Sequence, residues 1–263
     1  NPALGLEDYV NKEESRVANL RPELQKQIVW ADPAKKQKTK LSIVYIHGFS
    51  ASREEMRPVF DDVARTLGAN LFYTRLTAHG LSDKGESFAK LTAQNLVDDA
   101  REALEIGRGL GDRVILAGLS TGAALSLFVA YENVAILENA QTIYPDPKTK
   151  DGTIAALILV SPNYRPASRF SQFICGPLGP LWARLFIGTH HSFKASNEAH
   201  ATLWTTRYPS QAIAAMMDLV NHVRGLDLSV LKIPVLTLYS KHDTVVSVPL
   251  IEAKHDEIGS SRK

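Results

Sequence analysis

The sequence predicts an α/β fold, a mostly parallel sheet with helices on both faces. Short apolar, β-branched runs recur along the chain, as strands buried on both sides require. Between them lie longer segments with apolar residues at helical spacing. The two kinds of segment alternate, which implies right-handed βαβ units.

The elements follow in chain order. Residues 7–20 read as a helix and residues 27–31 as a short strand. The charged run at residues 34–40 is read as a solvated loop, not as a phosphate site. Residues 41–46 (LSIVYI) are the first buried strand. The helix expected over 54–67 places Met56, Val59, Phe60, Val63, Ala64 and Leu67 on one face, and Gly68 suits a left-handed cap. Residues 70–76 are the second strand. A helix over 92–107 follows, with Thr92 as its N-cap. Residues 113–119 (RVILAGL) are the third strand and 121–132 a helix of small and apolar residues. Strands over 153–160 and 233–240 and a helix over 248–258 complete the pattern. Residues 161–232 are far longer than an ordinary connection between a strand and a helix. They hold a helix at 210–224 and read as a helical insertion over one end of the sheet. The expected division is a core of residues 1–160 and 233–263 and a cap of residues 161–232.

The chain has 263 residues, with 44% hydrophobic and 22% charged, which excludes wholesale disorder, collagen and coiled coil. Lys plus Arg is 30 and Asp plus Glu is 28. A net charge of +2 is too small for the long-range field of a nucleic-acid binder. The single cysteine, Cys175, allows no intrachain disulfide and no all-cysteine metal cage. No apolar run reaches the length of a membrane-spanning helix, so no transmembrane segment is expected. The first residue is Asn1, and a leader removed before it would leave no trace. Cytoplasm is the default expectation.

Three motifs carry chemistry. Gly118-Leu119-Ser120-Thr121-Gly122 lies between the third strand and its helix. A strand turning straight into a helix forces its serine into unfavourable backbone geometry, and small flanking residues let the chains approach. The hydroxyl is lifted to a helix N-terminus, which favours developing negative charge. His47-Gly48-Phe49-Ser50 follows the first strand. Its loop can present the Phe49 N–H, and the elbow the Thr121 N–H, to an oxyanion. His47 reads as a packed loop residue and not as the base. Asp243, in Ser240-Lys-His-Asp243-Thr-Val-Val, follows the fifth strand, where an acid can orient an imidazolium. His242 is its neighbour and points away in an extended loop.

With these motifs the chain resembles an α/β-hydrolase of the carboxylesterase, monoacylglycerol lipase and lysophospholipase-like group. The resemblance covers roughly residues 41–248 and rests on HGFS at 47–50, RLTAHGLS at 75–82, GLSTG at 118–122 and SKHDTVV at 240–246. It implies Ser120 as nucleophile, Asp243 as acid, His79 as structural and residues 161–232 as cap or lid. It implies no cofactor. The family's histidine lies beyond one more helix and strand after the acid. Between Asp243 and Lys263 the only histidine is His255, inside the expected helix. The catalytic histidine is therefore expected beyond Lys263. His190-His191 has no third ligand at metal spacing, so no metal is expected.

The insertion carries apolar clusters at 170–187 and 214–223. They suit a lid packed on the core and an apolar acyl pocket above Ser120. The expected reaction is hydrolysis of a carboxylic ester, on a small-molecule or lipid-like substrate, through an acyl-enzyme on Ser120. Two alternatives stand beside it: a thioesterase or peptidase on the same scaffold, and a catalytically inactive binding protein.

Overall fold

The computed structural model describes residues 2–139, 153–168 and 188–263. The expected apolar cluster at 170–187 lies outside them, as do Cys175, Arg169 and Arg184.

In chain order the elements are α1 (Pro2–Ser15), β1 (Gln27–Val29), β2 (Thr39–Ile46), α2 (Val59–Leu67), β3 (Asn70–Tyr73), α3 (Ala93–Leu110), β4 (Gly111–Leu119) and α4 (Thr121–Asn139). Then come β5 (Thr153–Val160), β6 (His190–Ser192), α5 (Glu198–Leu203), β7 (Arg207–Pro209), α6 (Gln211–Arg224), β8 (Val235–Leu238) and α7 (Val248–Glu257). Six strands form one sheet in the order β1-β3-β2-β4-β5-β8. β1 is antiparallel to β3, and the other pairs are parallel. β6 and β7 pair separately as an antiparallel ribbon.

The period of two along each strand decides which core a side chain enters. On β2, Val44 and Ile46 join Leu116, Leu157 and residues of α3 and α4 in the larger core, while Ile43 and Tyr45 join Phe60 and Ala64 of α2 on the other face. Helices thus cover both faces, as the alternation predicts. α6 packs against α3 and α4, so this part of the segment 161–232 adds to the helical layer.

Several boundaries differ from the expectation. The single helix expected over 54–67 is a 3₁₀ turn (Arg53–Met56) followed by α2. Pro58 offers no N–H and forces Arg57 into an extended conformation, so the helix must restart after it. Gly68 caps α2 in the left-handed region at φ 60°, as expected. Thr92 caps α3 with Asn95 in a reciprocal capping box. The strand expected over 70–76 ends at Tyr73, because the following residues turn back beneath the site. The strand expected over 233–240 is Val235–Leu238. The Val235 N–H donates to the Arg262 carbonyl, so the last residues run beside β8.

A buried ion pair ties α1 to the segment after β3. Arg75 Nε and Nη2 each lie 2.8 Å from a Glu14 carboxylate oxygen, and the Lys26 N–H donates to the same carboxylate. Burial pushes the Glu14 carboxyl up, but the Arg75 bonds and charge outweigh it and hold the group below its ordinary value. Arg75→Leu leaves that carboxylate unpaired. It is expected to lower stability by about 3–5 kcal/mol in urea unfolding and to move the Glu14 titration upward.

Candidate active site

β4 runs into α4 with one residue, Ser120, to reverse direction. Its φ is 53°, in the left-handed region that a side chain makes costly by roughly 1–2 kcal/mol. Backbone bonds hold it there. The Ser120 N–H donates to the Val160 carbonyl at 2.9 Å, and the Ser120 carbonyl accepts from Asn163 and Ala124 N–H, each at 3.1 Å.

Both flanking glycines meet backbone where a Cβ would sit. At Gly122 a Cβ would overlap the Ile46 carbonyl, and at Gly118 it would overlap the Gly122 backbone. The start of α4 is therefore pressed against the end of β2. Gly48 in turn lies against Leu119, so the loop after β2 and the serine turn share one wall. The Phe49 N–H has no acceptor among the described residues. The Thr121 N–H opens α4, so it has none within the helix. Both belong to segments that this contact brings together.

His47 and His79 lie under this loop, fully buried, with rings 5.0 Å apart. His47 Nδ1 bonds the Gly48 carbonyl at 2.8 Å and Nε2 accepts the Leu76 N–H at 3.1 Å. His79 Nδ1 bonds the Thr77 carbonyl, and Nε2 accepts the Ser50 N–H at 2.9 Å. An acceptor nitrogen facing a backbone N–H fixes each tautomer and leaves no lone pair for Ser120. Burial lowers the His47 pKa to about 4 and, with His47 beside it, drives His79 well below its ordinary value.

Asp243 follows β8. Its Oδ1 accepts the N–H groups of Val245 at 2.8 Å and Val246 at 3.0 Å. It shares a cavity of about 540 Å³ with Arg165, Lys241 and Ser247. β5 lies between β4 and β8, so the ends carrying Ser120 and Asp243 are two strand spacings apart, roughly 10 Å. No histidine bridges them among the described residues. His255 bonds Thr237 Oγ1 at 2.9 Å from α7, and His242 is exposed. His190 lies 3.5 Å from Glu86, His191 packs on Tyr208, His200 on Trp204 and His222 on Phe128. No group of three metal-ligating side chains forms among the described residues.

Other residues of the site carry no motif. Asn163 holds the Ser120 carbonyl. Glu55 accepts the Gly48 N–H at 2.5 Å. Thr205 donates its N–H to the Ser50 carbonyl at 2.7 Å, bringing Tyr208 edge-on to Phe49, with Phe88 against both. These contacts depend on chain crossings, and the local sequence gives no sign of them.

The histidine pair has a consequence for acid stability. A buried imidazole with a lowered pKa contributes stability that is full above its ordinary value near 6.5 and is lost as pH falls toward about 4. Ring ¹⁵N shifts at pH 5.5 are expected to show His47 neutral, with the proton on Nδ1. A protonated ring would contradict this geometry.

Residues 43–258 match the alpha/beta hydrolase family. No curated protein sequence matches the chain. Among solved structures, one described with LipS and LipT, two metagenome-derived lipolytic enzymes, is similar with TM-score 0.70 and 22% identity, over 93% of this chain and 86% of that one. The monoacylglycerol lipase of Paleococcus ferrophilus is similar with TM-score 0.60 and 14% identity, over 91% and 86%. A soluble variant of the Saccharomyces cerevisiae monoglyceride lipase follows with TM-score 0.59 and 14% identity, over 91% and 79%. At these identities the structural likeness is one of fold. The match over residues 43–258 is one of family, and the chain belongs to the alpha/beta hydrolases.

Proposed function

We propose that the protein is a serine hydrolase that cleaves carboxylic esters through an acyl-enzyme on Ser120. The observation that carries this reading is the strained turn at Ser120. A φ of 53° held by backbone bonds on both sides puts cost into keeping one serine at the start of α4.

In this reading Ser120 Oγ attacks the ester carbonyl, and its proton passes to a histidine. The Phe49 and Thr121 N–H groups hold the oxyanion. Collapse expels the alcohol, which takes the proton back, and water then releases the acyl group by the same steps. Asp243 orients the imidazolium. None of the eight histidines in the sequence bonds the Ser120 hydroxyl, and the reading assigns the role of base to none of them. No step calls for a cofactor.

Phe49 packs on the buried Phe88 and Tyr208 beside the proposed oxyanion donors, and this apolar surrounding favours an apolar acyl group. The lipolytic names of similar structures agree with an ester substrate. The bond from Thr205 to Ser50 supports residues 161–232 as a lid whose part before α6 meets the loop of Phe49. Thioesters and amides pass through a similar oxyanion, and turnover of matched ester, thioester and amide substrates separates these activities.

The deciding experiment is intact-mass spectrometry on the protein from its own source, before and after a fluorophosphonate. A single adduct on Ser120 is expected. A protein that stays unlabelled is an inert scaffold, and the proposal fails. Ser120→Ala is expected to abolish turnover while leaving the fold intact. Ser120→Gly is expected to do the same and to raise stability by about 1 kcal/mol in urea unfolding, because glycine accepts this φ without strain. Asp243→Asn is expected to lower kcat by roughly 10⁴-fold, leaving slow but measurable turnover. Wild-type rates in that variant would remove Asp243 from the triad.

A further inference from the structure

A carboxyl group absent from the proposed triad grips the oxyanion loop. Glu55 Oε1 accepts the Gly48 N–H at 2.5 Å and the Tyr45 hydroxyl at 2.7 Å. Tyr45 is fully buried on β2 and packs on Phe60 and Tyr73, so it is a fixed post. On its other side the Gly48 residue offers its carbonyl to His47 Nδ1 and to the Ala51 N–H. A planar trans peptide points its N–H opposite to its C=O. Fixing the Gly48 carbonyl therefore fixes the direction of the Phe49 N–H. We infer that Glu55 is a positioning residue for this loop: it holds the Gly48 N–H and, through Gly48, sets where the Phe49 N–H points. The inference rests on the proposed use of that N–H as an oxyanion donor.

Among the described residues the charged groups near Glu55 are paired elsewhere, and its partners are these two donors. Arg53 on the same turn bonds Glu54 and the carbonyls of Glu23 and Gln25. Arg57 bonds Glu54 and Asp61, and Asp61 of α2 also takes the Tyr73 hydroxyl. From β2 the group facing Glu55 is the Tyr45 hydroxyl, and from β4 Leu119 packs against Gly48. Burial without a cation pushes the Glu55 pKa up to about 7, against the two hydrogen bonds that lower it. Above that pH both bonds are charge-assisted and stronger; below it a neutral acid holds Gly48 more weakly.

The stability consequence runs the other way. A carboxyl whose pKa is raised on folding binds more protons folded than unfolded between about 4.5 and 7, so its contribution to stability falls as pH rises through that window. Glu55 destabilises the fold in the ionised state that holds the loop best.

The test uses the full chain and its Glu55→Gln and Glu55→Ala variants. In the wild type the Gly48 amide proton is expected to move downfield with pH with a midpoint near 7, and to be flat in Glu55→Gln. Glu55→Ala is expected to slow fluorophosphonate labelling of Ser120 by about 10- to 100-fold and to lower kcat with KM unchanged. Glu55→Gln, which still offers an oxygen to Gly48, should recover most of this rate, with its ratio to wild type falling as pH rises from 6 to 8. In thermal unfolding it should gain on wild type over the same range. A Gly48 amide that does not titrate, or an alanine variant that labels at the wild-type rate, overturns the inference. Should the alanine variant fail to fold, the glutamine variant and the Gly48 titration still decide. If the wild type itself does not label, the serine-hydrolase reading fails, and the Gly48 titration alone judges whether Glu55 holds the loop.

Discussion

The site depends on one close approach. The first turn of α4 lies so near the end of β2 that a Cβ at Gly122 would overlap the Ile46 carbonyl. This contact sets the serine turn beside the loop of Gly48 and Phe49. It also leaves only one residue for the reversal from β4, which drives Ser120 to a positive φ. The strain persists because the surroundings over-determine it: Val160 and Asn163 at the end of β5 hold the Ser120 peptide from both sides. A strand neighbour, a helix start and a loop are thus locked to one another by backbone, with little left to side-chain choice.

Beneath that contact the buried titratable groups divide by function. His47 and His79 work as neutral hydrogen-bonding blocks. Each joins a donor to a backbone carbonyl and an acceptor to a backbone N–H, so they staple the loop after β2 to the loop after β3. Glu14 is held below its ordinary value because two Arg75 hydrogen bonds replace the water it loses on burial. Among the described residues Glu55 pairs with no cation and accepts from Tyr45 and Gly48. These polar groups hold loops and connecting segments, and the apolar faces of the strands supply the cohesion.

Much of the fold was legible in the sequence because strand burial and helix amphipathicity are local patterns. The run at 153–160 is the observed β5, and Thr92 is the observed cap of α3. The apolar spacing over 54–67 does not make one helix, because the ring and missing N–H of Pro58 break the ladder whatever the pattern. The strand expected to reach Leu76 stopped at Tyr73 because Leu76 gives its N–H to His47, a partner from another loop. Sequence spacing carries no record of such an exchange.

The sequence by itself determined the class of the fold, the strand-to-helix turn at Ser120 and the acid-bearing loop at Asp243, because each is written within a few neighbouring residues. Only the tertiary structure decided which polar groups serve that turn. Asn163 reaches the turn itself, while Thr205, Tyr208 and Glu55 reach the adjoining loop of Gly48, Phe49 and Ser50, and nothing in their own neighbourhoods marks them. The roles of His47 and His79 as backbone staples were likewise decided there. A histidine's chemistry depends on what faces its two nitrogens, and in this protein those partners come from the segment after β3 and from the loop between β2 and α2.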